Sequence, residues 1–338
     1  MTDEVLEMFV RQYIEAQTTS DVLFTWHGGE PLLRPLTFYE KALRLQREYA
    51  HGRRIDNCLQ TNGTLLTDEW GQFLAANGFL VGISIDGPQH VHDANRGRTF
   101  DRVMRGIDIL NRYGVMWNAM ATVNSANVND PVGFYNFFKA IGARYIQFEP
   151  IVPLPALSVA GQGISGASWG QFLVGLFDEW VKADVGKVFV QLFDATLSCW
   201  VGVPPGMCSL APSCGHAAVM EHNGDLYSCD HFVYPEYFLG NIRQRTITAM
   251  MYSEEQLAFG QRKCDALTRQ CRECEFLFTC HGECPKNRFV RDKYGNEGHN
   301  YLCEGYHRFF THVSPYMDDF ASQVGMRRLE RPTPTSRT

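Results

Sequence analysis

The fold turns on Leu80-Val81-Gly82-Ile83-Ser84-Ile85-Asp86-Gly87-Pro88. Residues 80–85 form an apolar run of strand length that breaks at an Asp-Gly-Pro turn. A helix-spaced segment over 100–113 follows and is stopped by Gly114, and 116–123 reads as a second strand. Working outward, strands are expected at 22–26, 55–60 and 145–150, with helices at 38–49, 68–77 and 132–141. Gly78, Gly114 and Gly142 stand where helix ends need a left-handed cap. Strands alternating with helices imply right-handed crossovers and a parallel sheet, so the chain is α/β. The strands are apolar on both faces, as in a barrel. The alternation opens on an amphipathic helix over 2–17, carrying Val5, Leu6, Phe9, Val10, Tyr13 and Ile14. Five strands are therefore visible where a closed or nearly closed barrel needs at least one more, and the first is expected to be missing.

Past Pro153 and Pro155 lies a Gly/Ser-rich linker over 156–168, then an apolar helical face from Trp169 to Val181, expected to pack on the barrel. Residues 187–193 suggest a further strand. Residues 218–229 read as a hairpin turning at Asn223-Gly224. A helix is expected over 306–324, and a disordered tail from Arg327. The implied division is 1–152 for the partial barrel, 153–207 for linker and connecting helix, 208–325 for a cysteine-rich domain and 326–338 for the tail.

Nine of the eleven cysteines fall between Cys208 and Cys303. The densest part is Cys271-x2-Cys274-x5-Cys280-x3-Cys284-Pro285. Its closing Cys-x3-Cys-Pro is the pattern in which the last cysteine ligates a different centre from the first three. Cys271, Cys274 and Cys280 would then share one centre and Cys284 would reach another. Cys303, Cys208, Cys214 and Cys229 bring the total to eight. Two four-cysteine iron–sulfur clusters use all eight, and so do two structural zinc sites. A disulfide framework suits a long chain with an odd cysteine count poorly. Net charge is −6 with no long basic run, which argues against nucleic acid. No apolar stretch would span a bilayer, and the N-terminal residues lack a signal-peptide layout. The expected location is a reducing cytoplasm.

Three strand ends are polar: His27-Gly28-Gly29-Glu30-Pro31, Gln60-Thr61-Asn62-Gly63, and Ser84-Ile85-Asp86-Gly87-Pro88 with His92 and Arg96 beyond it. Each alone is more often a structural turn; three on one rim are better explained as a ligand site. Glu30 could pair with an ammonium group there.

Together these strand ends and the eight-cysteine pattern resemble the radical S-adenosylmethionine enzymes carrying a SPASM domain, above all the anaerobic sulfatase-maturating enzymes. The likeness extends to about residue 320. It implies a partial (β/α)6 barrel, here without its first strand, followed by a domain with two auxiliary [4Fe–4S] clusters. The implied reaction oxidises an active-site cysteine or serine of a sulfatase to Cα-formylglycine with a radical from S-adenosylmethionine. Gly28, Gly29 and Glu30 would meet the methionine amino group of that cofactor; Ser84, Arg96 and the backbone near Val152 would contact the rest. Cys208, Cys214, Cys229 and Cys284 would bind one cluster, and Cys271, Cys274, Cys280 and Cys303 the other. Asp230 would match the general base. The implied partners are a sulfatase polypeptide and a small electron carrier such as flavodoxin or ferredoxin. Other SPASM peptide modifiers, such as thioether-forming maturases, and a non-catalytic iron–sulfur or zinc scaffold are the competing readings.

The sequence departs from the family at two places. The Cys-x3-Cys-x2-Cys that holds the S-adenosylmethionine-cleaving cluster is absent, at the same place as the missing strand, and Cys58 and Cys199 are too isolated to replace it. The expectation is a chain lacking its natural N-terminal part and not performing radical chemistry by itself; the other explanation is a natural remnant. His27 stands where the family usually has Gln. Cys264 lies outside the eight and is expected to be a free thiol.

Overall fold

The computed structural model describes residues 1–153, 161–215 and 217–326. Part of the 156–168 linker and the tail from Arg327 lie outside them. Two compact units emerge. One comprises Met1–Ile85, Arg98–Asn118 and Gly215–Gln261; the other comprises Asp86–Gly97, Ala119–Cys214 and the chain from Arg262 onward.

The first unit opens with α1 (Asp3–Ala16), whose first turn is capped by the Thr2 hydroxyl accepting from the Val5 N–H at 3.3 Å. β1 (Asp21–Trp26), α2 (Leu36–Tyr49), β2 (Arg54–Thr61), α3 (Asp68–Ala76) and β3 (Leu80–Ser84) follow. β1 pairs in parallel with β2 from Asp21↔Arg54 to Trp26↔Leu59, and β2 with β3 from Cys58↔Leu80 to Thr61↔Ile83. α1 is buried on more than one side. Phe9 and Tyr13 set their rings against Phe24 of β1 at 5.7 and 4.9 Å. Val5 joins a core with Leu226, Leu239, Ile242, Ile247 and Met250. Buried Gln12 closes that contact, donating to the Ile242 carbonyl and accepting from the Ile247 N–H, both at 3.0 Å.

The remaining elements complete the α/β order. α4 (Gln89–Arg96), α5 (Phe100–Tyr113), β4 (Trp117–Val123), α6 (Pro131–Ala140), β5 (Tyr145–Pro150), α7 (Gly166–Trp180), β6 (Phe189–Val190) and α8 (Gln191–Trp200) follow in turn. The parallel sheet has six strands in the order β1 to β6. Five are the strands read from periodicity. The sixth is only Phe189–Val190, because Leu192, Phe193, Ala195, Thr196, Cys199 and Trp200 are buried at helical spacing and form α8 instead. Gly78, Gly114 and Gly142 have φ of +63°, +66° and +83°, the left-handed geometry that ends each helix.

After α8 come the antiparallel strands β7 (Val219–Met220), β8 (Asp225–Tyr227) and β9 (Phe238–Asn241), then α9 (Ile247–Met251) and α10 (Glu254–Asp265). The hairpin turns at Asn223-Gly224, with Gly224 at φ +94°. β9 is the strand that alternation does not show, since Pro235 interrupts the pattern before it. In the second unit the one-turn helices α11 (Arg269–Arg272) and α12 (Leu277–Cys280), strands β10 (Arg288–Val290) and β11 (His299–Asn300), and α13 (Cys303–Gln323) complete the chain. α7 packs on α13 as well as on α6 and β5: Phe172 meets Phe134 and Phe148 at 5.1 and 5.7 Å. Glycine permits the close approach of α7 to α13, since a Cβ on Gly170 would lie 2.7 Å from the Gly305 Cα.

Candidate functional site

At the carboxyl end of β1, Gly28 and Gly29 adopt φ of +91° and +54°, with open space where a Cβ would stand. Their requirement is conformational, and the turn delivers Glu30 to the end of β2. Glu30 Oε1 accepts from the Thr61 hydroxyl at 2.6 Å and the Leu32 N–H at 3.0 Å, and Oε2 accepts from the Asn62 N–H at 2.9 Å. A carboxylate has about four acceptor sites, so one remains for a ligand donor such as an ammonium. Gln60 donates to the Ser84 hydroxyl at 3.1 Å, and Gly82 leaves the space its amide fills. These contacts join two of the polar strand ends and Ser84 of the third within the first unit. His27 is exposed beside them.

The rest of the third strand end lies in the second unit. Asp86 is fully buried and accepts from Arg96 Nε at 2.7 Å and Nη2 at 3.0 Å, from Asn95 at 2.5 Å and from the Thr122 N–H at 2.7 Å. All its acceptor sites are filled. Burial opposes its ionisation, but the Arg96 hydrogen bonds and charge, with Thr122 and Asn95, outweigh it and hold the carboxyl below its usual range. Asp86 thus serves to fix Arg96, the product of a helix, α4, that the sequence reading did not identify. Val152 follows β5 in the same unit and is buried.

Cys271, Cys274, Cys280 and Cys303 line one cavity of ≈ 670 Å³ in the second unit. α11 supplies Cys271, α12 Cys280 and the first turn of α13 Cys303. Cys284 is not among the lining residues. Burial raises the thiols of Cys274 and Cys280 and pushes Cys303 up to about 12, and neighbouring cysteines add to each shift. Such a set becomes thiolate only around a cationic centre. Among the described residues no three His, Cys, Asp or Glu side chains are arranged to hold a single ion. Four thiols spread around a cavity fit a multi-atom cluster better than one zinc ion.

Cys280 and Cys284 are joined by His281, Gly282 and Glu283, all with positive φ (+46°, +72° and +55°). Arg288 holds this unusual turn by donating to the carbonyls of Gly282, His281 and Glu283 at 2.9, 2.8 and 3.1 Å, and to that of Lys263 at 2.7 Å. Cys208 and Cys284 lie within electrostatic range of each other in this unit, and so do Cys214 and Lys263. Cys229 belongs to the other unit, just past β8, where its thiol donates to Asp230 Oδ1 at 3.2 Å. Asp230 is exposed. Buried Gln256 supports that turn by donating to the Ser228 and Gly215 carbonyls at 3.2 and 2.8 Å. Arg288, Lys263 and Gln256 were missed from sequence, where nothing distinguishes them from surface residues. Cys58 sits within β2 and Cys199 is buried in α8, while Cys264 is exposed on α10. No disulfide joins any cysteine among the described residues.

Comparison with known proteins places this geometry. Residues 1–138 match the Radical SAM superfamily and 213–275 the SPASM iron–sulfur cluster-binding domain. A serine-type anaerobic sulfatase-maturating enzyme of Bacteroides thetaiotaomicron is 56% identical, over 94% of this chain and 82% of the relative. A cysteine-type one of Clostridium perfringens is 30% identical, over 96% of this chain and 90% of the relative. The solved structure of native anSMEcpe with bound AdoMet and Kp18Cys peptide superposes with a TM-score of 0.86 at 30% identity, covering 96% of this chain and 91% of that one. The chain therefore belongs to the anaerobic sulfatase-maturating enzymes, radical S-adenosylmethionine enzymes with a SPASM domain that binds [4Fe–4S] clusters.

Proposed function

We propose that this enzyme oxidises an active-site serine of a sulfatase to Cα-formylglycine. The observation that carries the choice of serine is the 56% identity to a serine-type relative, against 30% to a cysteine-type one. S-adenosylmethionine, when bound and reductively cleaved, would supply the radical for hydrogen-atom removal at the serine Cβ, and the clusters held by the C-terminal cysteines would supply an electron acceptor. Asp230 takes the hydroxyl proton, which completes the C=O bond and balances the two-electron oxidation. Its exposure and its place beside Cys229 support that role.

Gly28, Gly29 and Glu30 hold the cofactor's amino group, and Ser84, Arg96 and Val152 contact its remainder. The spare acceptor site of Glu30 and the anchoring of Arg96 by Asp86 support this assignment. Cys271, Cys274, Cys280 and Cys303 bind one auxiliary cluster; Cys208, Cys214, Cys229 and Cys284 bind the second. A flavodoxin or ferredoxin supplies electrons in a reducing cytoplasm; no helix among the described residues is long and apolar enough to cross a membrane. The cluster that cleaves S-adenosylmethionine needs the family's Cys-x3-Cys-x2-Cys, which this sequence does not contain.

The test is a competition assay on this chain extended at its N-terminus by that segment. With matched peptides, the serine form should be converted in preference to the cysteine form, losing two hydrogens by mass spectrometry. Asp230→Asn should keep its iron and slow turnover about 10²–10⁴-fold. Conversion of the cysteine peptide alone, or undiminished turnover in Asp230→Asn, would remove the corresponding assignment.

A further inference from the structure

Lys263, on α10, is 1% exposed. Its Nζ donates to the carbonyls of Cys208 at 2.7 Å and Ser209 at 2.8 Å. No Asp or Glu oxygen lies within 4.0 Å of it among the described residues. The groups within electrostatic range that can become anions are Cys214, Glu283 and Cys284. Glu283 is a poor countercharge, since it is itself buried and its carboxylate is taken up by Asn287 and Asn300 at 3.0 and 2.7 Å. A cation sealed from water with carbonyl dipoles but no anion is costly to keep. Apart from Glu283 and the Arg288 guanidinium, a second cation, the charged or ionisable groups in range are cysteines: Lys263 binds the Cys208 backbone and lies near Cys214 and Cys284.

We propose that Lys263 is the built-in countercharge of the iron–sulfur cluster held by Cys208, Cys214 and Cys284, and that it raises that cluster's reduction potential. The inference rests on the reading that these cysteines hold a cluster. A thiolate-ligated cluster is anionic and gains one more negative charge when it accepts an electron. A fixed cation nearby therefore stabilises the reduced form more than the oxidised one, and low local polarity strengthens the effect. Lys263 also fixes the Cys208 loop through its two hydrogen bonds, so charge and positioning need to be separated. Gln at this position can donate to carbonyls without charge, and Arg keeps the charge.

The test uses the anaerobically reconstituted full chain in a redox titration followed by electron paramagnetic resonance. The relevant signal is the one lost in Cys208→Ser. In Lys263→Gln the reduced-to-oxidised ratio of this cluster, at the wild-type midpoint, should fall at least about tenfold, a shift of ~59 mV for one electron. Lys263→Arg should keep the wild-type midpoint, and the cluster at Cys271, Cys274, Cys280 and Cys303 should move little in either variant. An unchanged midpoint in Lys263→Gln, with iron retained, overturns the proposal. If Lys263→Gln does not retain this cluster, urea unfolding of the iron-free proteins decides. A countercharge is a burden once its cluster is gone, so the iron-free Gln variant should be at least as stable as iron-free wild type. A variant less stable than wild type without iron marks Lys263 as a structural lysine. Wild-type protein binding about four irons instead of about eight would instead defeat the underlying cluster reading.

Discussion

The rim around Glu30 and the cavity around Cys280 both hold polar groups partly or wholly withdrawn from water, and the protein treats them in opposite ways. Glu30 meets three donors from its own chain, so its carboxylate is fixed whether or not a ligand is present. Cys280 and Cys303 are placed differently: burial and the neighbouring cysteines raise their pKa values, and at Cys274 the one N–H donated by Phe276, at 3.4 Å, does not offset its burial. A hydrogen-bonded rim is assembled by folding alone, whereas a thiol-lined cavity depends on what fills it.

Removal of iron tests this contrast most strongly. In the reconstituted protein, chelation should cost residues 269–303 protection on the order of 10 kcal/mol, the scale of structural metal sites, and amide exchange there should accelerate accordingly. Exchange in 21–62, which contains Glu30, Thr61 and Asn62, should change little. Equal acceleration in both segments would erase the distinction.

Asp86 is the extreme case of the self-satisfied kind, and Asp86→Asn should destabilise the protein by about 3 kcal/mol at neutral pH by leaving the Arg96 charge without its partner. Its carboxyl is held below the usual range when folded. The stabilisation is therefore complete above the unfolded pKa of about 4 and is lost as pH falls through the folded value. Urea midpoints should drop more steeply below about pH 4 in wild type than in Asp86→Asn. Parallel pH profiles would show that Asp86 adds nothing through its charge.

The smallest effect is expected at Glu30. Glu30→Gln keeps the shape but replaces an acceptor with a donor facing an N–H or hydroxyl, at a cost of about 1–2 kcal/mol. Iron content should be unaltered, because the cavity does not rely on this rim, and a loss of iron on that substitution would break the comparison.

Much of the architecture was legible because it repeats locally. Apolar runs of strand length, helices with glycine stops and the Asn223-Gly224 turn each carry their signal within a few residues. Two segments resisted. Residues 187–193 have the apolar density of a strand, but burial at helical spacing continues to Trp200; only Phe189–Val190 pair as a strand, and residues 191–193 open α8. α4 is short and polar, with its last residues spent on Asp86, so periodicity gives no hint of it.

The sequence by itself determined the alternation that makes the chain α/β, the polar strand ends, and the cysteine spacing with its two competing metal chemistries. Tertiary structure decided how those residues are used. It closed the Glu30 carboxylate onto Thr61 and Asn62, filled every acceptor site of Asp86, and spread four thiols around a cavity. It also buried Lys263 against the Cys208 loop, 55 residues away in the chain. The physical reason is range. Helix and strand signals arise between residues a few positions apart, while the charge state and hydrogen bonding of a buried group depend on whichever distant residues folding brings beside it.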